Sequence, residues 1–312
     1  MEQPRVDCVV VTYNRKALLL ECLEAIYAQT FPVSSIILIN NASTDDTEEA
    51  LREAGYFSRD NFDYHLMPKN LGGAGGFAEG IKISRDNDTA DWCWIMDDDS
   101  IPSPDALEKL IAATKLKGDE VSFFASEVYG VENETLNVPV LDMREDDKGY
   151  VKDWYRDLRK GIIKIQYATF VSIMINSKAI KKCGVPCTEY FIWGDDYEYT
   201  ARLVKYYGDA YFVGGSVVLH KIAKGRASIY LERDTFRIKN LYYHYRNGVM
   251  NTLMYDSTKR AIYISLRAFY HAARVLVHPY RFRKILYILS GTFSGWINCG
   301  KFKKLIQAQI KQ

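Results

Sequence analysis

Cysteine, proline and long apolar runs are all scarce in this chain of 312 residues, and each shortage excludes something. Six scattered cysteines (Cys8, Cys22, Cys93, Cys183, Cys187 and Cys299) make no disulfide scaffold. Cys183 and Cys187 lack the second pair that a structural zinc needs, so none is expected. No internal repeat or low-complexity stretch is present, and eight prolines without a glycine period exclude a collagen-like chain. No charged-then-apolar leader opens the sequence, which leads us to expect free thiols in a reducing cytoplasm. The longest uncharged stretch near the C-terminus, Ile285 to Gly300, is interrupted by Gly291, Gly295 and Asn298 and falls short of the roughly 20 apolar residues that span a bilayer.

With 48% hydrophobic and 26% charged residues, the chain can bury a sizeable core as one large or two modest domains. A net charge of +2 gives no reason to expect a nucleic-acid partner. Its distribution is lopsided. Residues 1–220 carry −13 and residues 221–312 carry +15, and no acid follows Asp256. Two parts with different partners are expected, 1–220 and 221–312.

Along the first part, short β-branched or apolar runs alternate with helical periodicity. Val6 to Val11 precedes a helix over Arg15 to Gln29, and Ile36 to Ile39 precedes a helix over Asp45 to Ala54 that Ser43 or Thr44 can cap. Phe62 to Leu66 then leads through Asn70–Phe77 into a helix to about Ser84 and the strand Trp92 to Met96. This order predicts an α/β fold on a mixed, mainly parallel sheet, with a ligand crevice at the strand C-terminal ends. Those ends are polar: Thr12-Tyr13-Asn14-Arg15, Asn40-Asn41, Asn70 and Asp97-Asp98-Asp99. The segment from Tyr129 to Gly161 is polar and weakly periodic, and is expected to be loop-rich and acceptor-facing.

Three constellations carry chemistry. Asp97-Asp98-Asp99 at a strand end is tolerable beside a hard divalent cation, Mg²⁺ or Mn²⁺, which bridges carboxylate to phosphate; a solvated turn with a cap at Ser103 explains the triplet equally well in isolation. Gly72-Gly73-Ala74-Gly75-Gly76 lacks the Lys-Ser/Thr ending of a Walker loop, and its glycines let backbone pass close to a bulky ligand or simply form a flexible turn. Trp193-Gly194-Asp195-Asp196-Tyr197-Glu198 crowds carboxylates beside aromatic rings, which raises proton affinity and suits a general base; carboxylates stabilised at a helix N-terminus are the plainer explanation. His220 closes the run Val217-Val218-Leu219 and becomes a candidate third metal ligand once the acidic triplet is considered.

As an ordered set, Val9 to Arg15, Asn40 to Asp45, Asp97 to Asp99 and Asp195-Asp196 resemble inverting glycosyltransferases of family GT2. The likeness covers about residues 5–245 and implies the nucleotide-binding GT-A fold. Within that family, Asn70 to Phe77, the tryptophan before Asp195-Asp196 and the downstream His220 are most similar to galactofuranosyltransferases, which implies UDP-galactofuranose as donor. By that likeness Asp99 and His220, with Asp97, would hold Mn²⁺ or Mg²⁺, and Asp196 with Asp195 would form the base motif. Thr12, Arg15, Asn41, Asn70, Gly73, Asp97 and Asp98 would meet the donor, and Trp193 and Glu198 the acceptor. Asn40 departs from the aspartate common at that turn, and a dTDP-rhamnose transferase of the same fold is the competing enzyme. A non-catalytic carbohydrate-binding protein would not need both carboxylate groups.

The basic C-terminal part is expected to be helical. Arg260, Arg267, Arg274 and Arg281 recur every seven residues, and in a continuous helix they drift only about 20° per step, although Pro279 lies before the last. Beside Ile262, Tyr263, Phe269, Tyr270 and Leu276 this predicts a helix docked on an anionic membrane surface, near a lipid-linked glycan acceptor, and hence a protein peripheral on the inner face of the cell membrane.

Overall fold

The computed structural model describes residues 3–118, 120–151, 153–221 and 228–310. The expected division after His220 is followed within two residues by 222–227, which lie outside the described residues.

The β-branched run Val6–Thr12 (β1) is buried along its whole length, as a central parallel strand must be. It pairs in parallel with Ser35–Asn40 (β2) on one side and Trp92–Asp97 (β4) on the other, and β2 pairs with Phe62–Leu66 (β3). Beyond β4 lies the antiparallel Ile173–Asn176 (β10), then Phe123–Tyr129 (β6) and, parallel to it, Ala210–His220 (β11). Ile162–Tyr167 (β9) and Val140–Leu141 (β8) complete one edge. Ser100–Pro102 (β5) pairs with the end of β11, and Thr135–Leu136 (β7) with β6. The order is β3-β2-β1-β4-β10-β6-β11-β9-β8, so the mixed and mainly parallel sheet expected from the sequence is present.

Alternation sorts the core onto two faces. Cys8, Val10, Ile36, Leu38, Trp94 and Met96 pack against Lys16–Tyr27 (α1), Thr47–Glu53 (α2) and Ala106–Lys117 (α4). Val9, Val11, Ile37, Ile39, Cys93 and Ile95 pack against Gly72–Asn87 (α3), Ser177–Cys183 (α5) and Asp195–Tyr206 (α6). Because the strands run alongside β1, their C-terminal ends open on one side, and the polar segments predicted to converge lie there.

Two local expectations are corrected. Ser43 and Thr44 do not cap α2, whose flanking residue is Asp46; they are instead bonded to Asn14 across the strand ends. The glycines 72–76 are neither a flexible turn nor a loop: they form the first turns of α3. A Cβ at Gly76 would sit 2.5 Å from Val11, and one at Gly80 would sit 2.3 Å from Val9, so these glycines let the helix lie close on the sheet.

Of the expected Tyr129–Gly161 loop, Tyr129 still belongs to β6, and the described residues beyond it are loop-rich, with β7, β8 and an isolated Glu145–Val151 bridge. After residue 228 come three helices, Thr235–Tyr255 (α7), Thr258–Val275 (α8) and Arg281–Gln307 (α9). They are not a detached unit. Met250, Phe302 and Ile306 share a buried cluster with Ala74, Cys187 and Tyr190. The predicted four-arginine stripe does not form, because α8 ends at Val275 and Arg281 opens α9.

Candidate functional site

β4 delivers the acidic triplet, and β5 turns straight back to pair with β11, setting Ser100 opposite His220. That pairing brings Asp99 and His220 together: His220 Nε2 lies 2.9 Å from Asp99 Oδ1, while Nδ1 lies 3.0 Å from Asn137 Oδ1. Asp97, Asp99 and His220 offer ligand atoms within 4.8 Å of one another, and this is the only such group among the described residues. Two carboxylates and an imidazole suit Mn²⁺ or Mg²⁺.

The charges support the same reading. Burial, and next the Asp99 carboxylate, push the Asp97 pKa up to about 7. Burial would raise Asp99 too, but its bond to His220 and the nearby Arg15 hold it below the usual carboxylate range. Burial disfavours the His220 imidazolium, yet its bond to Asp99 outweighs this and raises its pKa. The site is thus short of positive charge, which a divalent cation supplies.

Arg15, half-exposed, reaches Asp99 at 2.6 Å and Asp98 at 3.3 Å. Asp98 shares the Arg15 guanidinium with Asp99 but is not part of the ligand group. Its oxygens accept from Thr12 Oγ1 at 2.7 Å, from the Tyr13 backbone N–H and from Arg15, and burial pushes its pKa to about 6. Asp98 stitches the triplet to the end of β1 through the Thr12 hydroxyl. Asn41 is likewise committed. Its amide donates to Asn70 Oδ1 and the Gly72 carbonyl and accepts from the Leu71 N–H, while Asn70 Oδ1 accepts from the Gly72 N–H. Buried Asn41 therefore fixes the approach to α3 rather than presenting a free amide. The departing residue Asn40 is also structural, bonded to Tyr64 Oη and the Ser43 N–H.

The opposite wall is the segment Cys187–Asp195, between α5 and α6. Phe191, Trp193 and Gly194 all have positive φ, at 65°, 60° and 92°. For two aromatic residues that conformation is costly and must be held from outside. α7 holds it. The buried Asn247 amide donates to three carbonyls, Tyr190 at 3.1 Å, Ile192 at 3.1 Å and Trp193 at 2.7 Å. Arg246 donates to the carbonyls of Glu189 and Tyr190, and Asn251 to that of Gly194. The sequence reading missed these three residues. Their one signal is a polar run, Arg246-Asn247 and Asn251, on the buried side of a helix.

This loop places Asp195 and Asp196 at the start of α6. A Cβ on Gly73 would lie 3.9 Å from Asp195 Oδ2, so the first turn of α3 faces that carboxylate. Burial and then the neighbouring Asp196 drive the Asp195 pKa far up. Burial also raises Asp196, against backbone N–H bonds from Tyr197 and Gly194 that favour its charge. The two carboxyls titrate as a pair with raised proton affinity, and Asp196 is the more exposed of them. Trp193 is half-buried, edge-on to His244 at 6.1 Å. Glu198 is corrected: it is fully buried, paired with Arg202 at 2.7 Å and bonded to Tyr255 Oη, so no acceptor reaches it.

The family profile described as Glycosyl transferase family 2 matches residues 7–184. The chain is 28% identical to galactofuranosyltransferase GlfT1 of Mycolicibacterium smegmatis, over 66% of this chain and 67% of that one. It is 31% identical to galactofuranosyltransferase GlfT1 of Mycobacterium tuberculosis, over 64% of each. It thus spans about two thirds of the length of these relatives. In fold it resembles the mannosyltransferase from Pyrobaculum calidifontis in complex with GDP-Man and Mn²⁺, with a TM-score of 0.53 and 17% identity over all of this chain and 77% of that one. The matched segment contains the acidic triplet and the strand ends that carry it, and the chain belongs to glycosyl transferase family 2 as a glycosyltransferase.

Proposed function

We propose that the protein transfers galactofuranose from UDP-galactofuranose, with inversion, onto a lipid-linked acceptor of a bacterial surface glycan such as an O-antigen, capsule or cell wall. The carrying observation is the nearness of two unlike carboxylate groups: the Asp97, Asp99 and His220 cluster, and Asp195-Asp196, where Asp97 is close enough to raise the proton affinity of Asp195. The first suits a diphosphate with its cation and the second a proton transfer. The furanose rests on the likeness to the two mycobacterial relatives.

In this reading Asp97, Asp99 and His220 would hold Mn²⁺ or Mg²⁺, and such a cation would supply charge neutralisation for a leaving diphosphate. Half-exposed Arg15, with Asn41 and Asn70, would meet the nucleotide, and Gly73 would border the donor. The acceptor hydroxyl, seated against Trp193, attacks the anomeric carbon while Asp196 takes its proton. The bond from that carbon to the phosphate oxygen breaks, and UDP leaves with the electron pair. With Asp196 as base, a single displacement inverts the anomeric centre and gives the β product. Residues 1–220 supply donor site and chemistry, and 221–312 face the acceptor and the inner, cytoplasmic side of the cell membrane.

The test offers UDP-galactofuranose, UDP-galactopyranose and dTDP-rhamnose separately, with a lipid-linked oligosaccharide acceptor, and reads products by mass spectrometry. Incorporation from UDP-galactofuranose alone is expected. Incorporation of rhamnose alone overturns the donor, and donor hydrolysis or transfer with none of them overturns the reading.

A further inference from the structure

The helices α8 and α9 are built inside out. α8 packs inward through Ala261, Ser265, Ala268 and Ala272, while Ile262, Leu266, Phe269 and Leu276 face solvent. At 3.6 residues per turn those four fall within an arc of about 80°. On α9, Phe282, Leu286, Phe293 and Ile297 are exposed and fall within about 60°. The two stripes are continuous: the Phe269 and Phe293 rings lie 6.0 Å apart, and Trp296 Nε1 donates to Ser265 Oγ at 2.9 Å. Leu266 is 64%, Phe282 73% and Ile297 79% exposed, and a contiguous apolar face of this kind marks an interaction surface.

Cations border it. Arg260, Arg267 and Arg274 run along one side of α8 beyond Tyr263 and Tyr270, and Arg283, Lys301 and Lys304 are exposed on α9. No acid lies anywhere on either helix. Among the described residues, no helix is long and apolar enough to cross a membrane.

We infer that the joined face of α8 and α9 lies flat in the headgroup region of an anionic bilayer, with its aromatic and aliphatic stripe among the acyl chains and its arginines and lysines at the phosphates. Charge decides the occupant. A second copy of the chain would set these cations against the same cations across a two-fold axis, with no acid in either face to pair them. Anionic headgroups neutralise them, and the acyl boundary takes the apolar stripe. The inference names the surface that would serve the lipid-linked acceptor of the proposed function, and rests on that reading only for its purpose.

The experiment is co-sedimentation of the full chain with vesicles of phosphatidylcholine alone, or with about 30% phosphatidylglycerol, at low and physiological salt. Binding to the anionic vesicles is expected, weaker as salt rises. L266Q/F282Q/I297Q should bind at least about 100-fold more weakly, since three large apolar groups no longer enter the bilayer. Unaltered Mn²⁺ affinity establishes that this variant is folded. In a second variant, R260Q/R267Q, the salt-sensitive part of binding should shrink. Wild-type protein that ignores anionic vesicles at both salts overturns the inference, as does a triple variant that binds like wild type. So does a wild-type dimer that the triple variant dissolves without any vesicle binding. Vesicle binding by a protein that transfers no sugar supports this surface and removes the proposed donor instead.

Discussion

His220 Nε2 stands 2.9 Å from Asp99 Oδ1 although 121 residues separate the two in sequence. The contact exists because β5 folds back to pair with β11 directly after the acidic triplet. It brings a strand-end histidine into the candidate cation site with Asp97 and Asp99.

That site should bind Mn²⁺ with a steep pH dependence. With its pKa pushed up to about 7 by burial and by Asp99, Asp97 holds a proton below that pH, and the bond to Asp99 raises the proton affinity of His220 above that of an ordinary imidazole. A cation displaces these protons, so affinity falls as pH drops through about 7, by at least about tenfold per unit. Calorimetric titration across about pH 5.5 to 8 checks this, and a flat profile contradicts it. Asp99→Asn and His220→Gln should each weaken Mn²⁺ binding by at least about tenfold.

Asp196→Asn should lower transfer by roughly 10²- to 10⁴-fold and leave donor affinity close to wild type, because the amide cannot take the acceptor proton. In the wild-type enzyme, kcat/KM should rise with pH through the raised Asp196 pKa, since the base works only deprotonated. Turnover by Asp196→Asn within about tenfold of wild type would reassign the role to Asp195.

Asn247→Ala removes the one amide whose three hydrogen bonds to the Tyr190, Ile192 and Trp193 carbonyls hold Phe191, Trp193 and Gly194 at positive φ. Unmet buried carbonyls cost about 1–3 kcal/mol, and the loop that presents Asp196 should loosen. The expected outcome is a fall in kcat with Mn²⁺ affinity unchanged, read by kinetics and calorimetry on the same preparation. A variant that loses stability but keeps kcat would make Asn247 purely structural.

Arg202→Met leaves fully buried Glu198 without its counter-charge and should cost about 3–5 kcal/mol of stability in denaturant unfolding. Replacing both, with Glu198→Leu, should restore part of that loss without raising the acceptor KM. An acceptor KM that rises in the double variant would return Glu198 to the acceptor site.

Features set by neighbours in sequence were legible from it. The buried run of β1, the polar strand ends and the acidic triplet after Trp94-Ile95-Met96 all express periodicity or a local turn, and they fall where expected. What eluded the sequence depends on distant partners. Glu198 shares a helix turn with the base motif, but its pairing with Arg202 one turn on and with Tyr255 on α7 takes it out of the crevice. Asn247 contacts a loop more than 50 residues earlier. The arginine repeat of period seven was real, but whether one helix carries it depended on the turn at Leu276–Tyr280. The outward apolar stripe of α8 follows a helical period that a buried face would follow equally well, and only the packing of α9 against its alanines distinguishes them.

The central claim, cation-dependent inverting transfer from UDP-galactofuranose, is tested most directly by proton NMR of the glycoside formed with Mn²⁺ and after exhaustive EDTA treatment. A β-galactofuranoside formed with Mn²⁺ and absent after EDTA is the result predicted by Asp97, Asp99, His220 and Asp196. An α-linked product, or equal yield in EDTA, would contradict it.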